Sequence, residues 1–177
     1  MNIYIYLIGI LFFSNGYAQN NLIAPQWHDK VEKCLSIIEA NDPEVYQYMK
    51  SAYIQAGQIS GSNEMSAWGF ATVEPIYHSN GKSTDISWIM LDSKGLSILS
   101  VNTLAGIVLH EAIHLHLWDR SMDGKYIYIK SDEDMDKEHA FIYQYQLDFL
   151  KKIHASQTEL SFCMNIMRHL GLKVESK

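Results

Sequence analysis

The sequence predicts an α+β domain in which a small mixed or antiparallel sheet packs on one long apolar helix and on further helices. Three observations carry this. Apolar residues recur at helical spacing over residues 25–40 and again through 104–118. β-branched and aromatic residues concentrate at 70–77 and 85–91, around the turn-forming Ser79-Asn80-Gly81-Lys82. A chain of 177 residues that is 47% hydrophobic and 19% charged has the size and composition of one globular unit rather than two.

Taken in order, Met1 to Phe13 is an apolar run too short to cross a bilayer comfortably, and Ser14 to Ala18 brings small residues at Gly16 and Ala18, where a signal peptidase cuts. Residues 1–18 are therefore expected to be a secretory signal peptide and 19–177 a single domain, secreted or periplasmic. No Lys or Arg precedes the apolar run, so a buried N-terminal helix or an uncleaved anchor is the alternative. No Cys follows the run to take a lipid, and no second long apolar segment exists, so no stable membrane anchor is expected once the signal is removed.

Trp27, Val31, Cys34, Leu35 and Ile38 place one apolar stripe on a helix over Pro25 to Ala40. Asn41-Asp42-Pro43 ends it, and Pro43 opens a second helix reaching about Gln55, with Gly57 as its stop. Gly57 to Gly69 is rich in Gly, Ser and Asn and reads as a loop. The two strands follow, and the second of them, Asp85 to Leu91, is expected either at the edge of the sheet, where an extended peptide can add to it by main-chain hydrogen bonds, or as an ordinary core strand. Ser100 or Asn102 caps a helix that runs to Asp119 or Arg120. Lys125 to Lys130 alternates like a strand, acidic Asp132 to Asp136 opens a helix from Lys137 to about His154, and a last helix over Thr158 to Leu170 stops at Gly171.

Net charge is -6, so the chain lacks the basic footprint that holds phosphates, and nucleic acid is not an expected partner. Cys34 and Cys163 are too few for a disulfide framework and too far apart for a Cys-based metal site. They read either as a pair or as two buried small hydrophobes.

Chemistry enters at His110-Glu111-Ala112-Ile113-His114, an H-E-x-x-H run in mid-helix. Residues four apart lie one above the other, so His110 and His114 offer two imidazoles to one metal ion. Glu111, about 100° round the helix, sits at the edge of that face, where it can reach the metal's water without occupying the metal. Two His holding Zn2+ beside a Glu base is the arrangement that hydrolyses amides near neutral pH. A third ligand is needed. His116 points about 200° away from His114 on the same helix. The extended motif with a third His on that helix is absent, since Leu117 and Arg120 occupy its Gly and His positions. Asp119 falls on the far side. The remaining candidates, Glu133, Asp134, Glu138 and His139, open the following helix, and His139 is preferred over Glu138. Tyr143 and Tyr145 lie further along the same helix as possible oxyanion donors, with packing as their ordinary role.

The run Val108 to Leu117, followed by a charged loop and Glu138-His139-Ala140-Phe141-Ile142, resembles the SprT-like metallopeptidases and related small zincins of bacteria. The resemblance spans about residues 84–155. It implies a zincin-like fold, zinc on His110, His114 and His139, Glu111 as general base, and a peptide or protein substrate. The sequence departs from the family in lacking Gly after His139 and a following Cys-based zinc ribbon. An exported, non-catalytic binding module with the same fold is the competing expectation; the intact Glu111 favours the enzyme.

Overall fold

Helix α4, Val101–Arg120, is the axis on which the other elements are hung. In the computed structural model, which describes residues 23–57, 68–78, 82–120 and 132–173, Leu104, Ala105, Ile107, Val108, Leu109, Ala112, Ile113 and Leu115 of this helix are all buried. A helix apolar on every side belongs in the middle of a core. Its β-branched residues each cost a few tenths of a kcal/mol in helix propensity, whereas burying one such side chain is worth roughly 1.5–3 kcal/mol, so packing decides. The start of α4 is capped as expected: Ser100 Oγ accepts from Thr103 N at 3.1 Å.

Around it lie α1 (Pro25–Asn41), α2 (Pro43–Met49), β1 (Tyr53–Gly57), β2 (Gly69–Tyr77), β3 (Ser83–Asp92), α3 (Ser93–Ile98), α5 (Asp132–Lys152) and α6 (Gln157–His169). The described residues are thus mixed α and β, six helices with one small three-stranded sheet of order β1-β3-β2. Among them no helix is long and apolar enough to cross a membrane. The expected signal peptide at 1–18 and the expected strand at 125–130 lie outside the described residues.

Two expectations are corrected and one open alternative is decided. The second helix stops at Met49 instead of reaching Gln55, and Tyr53–Gly57 is a strand paired in parallel with β3. That pairing buries Ile54 completely, a long-range reward that no local periodicity reports. Of the two readings of Asp85 to Leu91, edge or core strand, the structure decides for the core: β3 is central, parallel to β1 and antiparallel to β2. The strand at the edge beside α4 is β2, which explains how it tolerates Pro75, a residue that cannot donate to a ladder. The penultimate helix begins at Asp132 and closes at Lys152, its acidic opening residues lying within the helix at the positive end of its dipole. Beyond it Ala155 N donates to Leu150 O at 2.9 Å and His154 N to Lys151 O at 3.0 Å, with His154 at φ 55, a left-handed C-terminal cap. The six-residue α3, too short to show a period, is held by Asp92, whose Oδ1 accepts from Lys94 N and Gly95 N.

Candidate metal centre

α4 and α5 pack against each other, and the candidate site forms where the middle of α4 meets the early turns of α5. His110 and His114 stand one turn apart on α4; across from them stands His139 of α5. The ring centroids are 5.0 Å apart for His110 and His114, 5.9 Å for His110 and His139, and 5.0 Å for His114 and His139. One ligand nitrogen from each of the three lies within 4.8 Å of the others, a triangle that can hold a metal ion. His110 and His114 are buried and His139 is half-buried, so the group opens to solvent on the α5 side.

The Nδ1 atoms of the two α4 histidines are both engaged. His110 Nδ1 donates to Gln146 Oε1 at 3.1 Å, and His114 Nδ1 to Glu138 Oε1 at 2.6 Å. Both partners are acceptors at those atoms, which puts the ring proton on Nδ1 and leaves the Nε2 lone pair for a cation. Glu138 is thus a support for His114, and His139 is the residue that joins the triangle. Burial holds the His110 pKa well below its usual value, with positive charge on His114 and His139 acting in the same direction and the Gln146 bond opposing. A neutral imidazole near pH 7 is what metal ligation requires.

Glu111 points from α4 toward β2 and is 8% exposed. Burial raises its pKa to about 7 against the lowering effects of His114 and of a hydrogen bond from the Ala71 backbone amide. A carboxyl that titrates near neutrality can take up a proton and give it back. Tyr143 lies one turn beyond His139, its ring 4.4 Å from that of His110. Burial, and then the charges of Glu111 and Cys163, push its hydroxyl pKa up, so it stays a donor.

Other expected candidates go elsewhere. Tyr145 donates to Asp42 Oδ2 at 2.6 Å, away from the triangle. The His116 ring packs 3.8 Å from Tyr48. The side chains of Glu133, Asp134 and Asp119 lie outside the described ones. Cys34 and Cys163 are buried thiols that do not pair; burial raises both to about 12, so they are unreactive. Two participants went unread in the sequence. Gln146 lies seven residues after His139, on the same helical face and 2% exposed. The spacing was visible, but only burial distinguishes it from a surface Gln. Gly69, pressed against Glu111, gave the one hint a strand glycine gives, that something approaches closely.

Comparison with protein-family models, with curated proteins and with solved structures finds no match to this chain.

Proposed function

We propose that this chain is an exported zinc-dependent peptidase of the H-E-x-x-H type, hydrolysing peptide bonds in the manner of the SprT-like metallopeptidases it resembles. One observation carries the reading: three imidazoles whose ligand atoms lie within 4.8 Å of one another stand beside a buried carboxyl whose pKa burial raises to about 7. Three imidazole nitrogens, two of them oriented by hydrogen-bond acceptors behind the ring, suit zinc, which at catalytic sites takes three protein ligands and leaves the fourth position to water. When bound there, zinc supplies a Lewis acid for the scissile carbonyl and brings the pKa of water toward neutrality.

The chain's own residues do the rest. His110, His114 and His139 would hold the ion. Glu111 accepts a proton from the attacking water and delivers it to the departing amine. Tyr143, kept protonated, donates to the carbonyl oxygen as negative charge grows on it. An extended peptide adds to the outer edge of β2 by main-chain hydrogen bonds. The buried Glu111 favours this over a non-catalytic binding module, since burying a carboxyl without a task only destabilises the fold.

The test is the metal content of the purified protein together with hydrolysis of labelled casein. Wild type is expected to carry one zinc per chain and to be inactivated by chelation. Glu111→Gln is expected to keep the zinc and lose at least a hundredfold in kcat. Full activity in Glu111→Gln, or wild-type protein that binds no zinc, rejects the reading.

A further inference from the structure

Position 69 is glycine in a strand, where glycine is disfavoured because it orders at greater entropic cost and packs nothing. No unusual backbone explains it: among the described glycines the positive φ belongs to Gly171. What position 69 supplies is space. A Cβ there would lie 2.9 Å from Glu111 Cγ, 2.9 Å from Glu111 Oε1 and 2.9 Å from Ile107 Cγ2, closer than such atoms stand in folded proteins. Gly57, the glycine of β1, is different: its nearest neighbour would be Met90 Cε at an ordinary 3.7 Å.

We infer that Gly69 is a positioning residue for Glu111: by lacking a side chain it lets β2 lie against α4 closely enough for the Ala71 amide to hold the Glu111 carboxylate in one place. The argument is steric. Ile107 is β-branched and fixed at χ1 on a helix, and Glu111 is buried, so neither can step aside into solvent. A methyl at 69 must therefore move the carboxylate or lift the strand, and either breaks the bond from Ala71. A general base tolerates little misplacement.

The inference rests on the reading of Glu111 as the base, but the experiment separates the two. Urea unfolding of the metal-free protein is compared for wild type, Gly69→Ala, Glu111→Ala and the double variant, with Gly57→Ala as control. The expected result is a fall in midpoint for Gly69→Ala that is at least twice as large in the wild-type background as in the Glu111→Ala background, and no measurable fall for Gly57→Ala. Equal falls in both backgrounds overturn the inference. Should Gly69→Ala fail to fold, recovery of a cooperative transition in the double variant supports it and continued unfolding of the double variant overturns it. With zinc bound, Gly69→Ala is expected to retain the metal and lose at least tenfold in kcat on casein, with KM within twofold; an unchanged kcat also overturns it. A positive unfolding cycle in a protein without hydrolytic activity defeats the peptidase reading alone, and a null cycle beside an inactive Glu111→Gln defeats the positioning role alone.

Discussion

The carboxylate of Glu138 lies 2.6 Å from Nδ1 of His114, a hydrogen bond between the turn of α5 that carries His139 and the helix that carries the motif. It separates two neighbours in sequence by task. His139 contributes its ring to the triangle, while Glu138 orients a ring already there. Removing a partner that orients a ligand typically costs ten- to a hundredfold in metal affinity, about 1.4–2.7 kcal/mol. Glu138→Ala and Gln146→Ala are each expected to weaken zinc binding by about that factor. His139→Ala should weaken it more than either. Competition with a chromophoric chelator measures all three, and zinc held as tightly by His139→Ala as by wild type would remove His139 from the site.

Glu111 makes the metal-free protein sensitive to pH. Its folded pKa of about 7 lies above the unfolded value of 4.5, so the native state holds the proton more firmly. Stability is fully present below pH 4.5 and is lost as pH rises to about 7, by about 3 kcal/mol from the size of the shift. Glu111→Gln cannot titrate. It is expected to match wild type near pH 4.5 and to exceed it by that order at pH 8, in denaturant melts run with chelator present.

Tyr145 ties α5 to the junction of α1 and α2. Its hydroxyl donates to Asp42, whose other carboxylate oxygen accepts from Val45 N at 3.2 Å and caps α2. Tyr145→Phe removes a bond to a charged group at a partly exposed site and is expected to cost about 1 kcal/mol, with casein hydrolysis unchanged. A loss of activity at unchanged stability would return Tyr145 to the site.

His154 adopts φ 55 at the end of α5, a conformation that costs a residue with a Cβ roughly 1–2 kcal/mol. Gly is free of that cost, so His154→Gly is expected to stabilise the fold by about 1 kcal/mol in thermal or urea melts. Destabilisation would mean that the ring contributes more than the backbone costs.

Helical spacing was legible wherever the information is local. The stripe of Trp27 to Ile38, the Ser100 cap and the stacking of His110 above His114 all follow from 3.6 residues per turn. The same reading carried the second helix past Met49, because Tyr53 to Gly57 becomes a strand only through its pairing with Trp88 to Asp92 more than thirty residues on. For the same reason the sequence leaves Asp85 to Leu91 open between edge and core strand: strand order is a property of pairings, not of the strand's own residues.

By itself the sequence determined a mixed helical and sheet domain, an apolar central helix, and two imidazoles with a carboxyl on that helix, because these depend on spacing within a few turns. Tertiary structure alone decided that His139 completes the triangle while Glu138 and Gln146 stand behind the other two rings, that β2 forms the edge beside the site, and that Glu111 is buried against Gly69 and Ala71. Each of these depends on how closely separate segments approach, and it is that approach that sets both the burial and the pKa of Glu111.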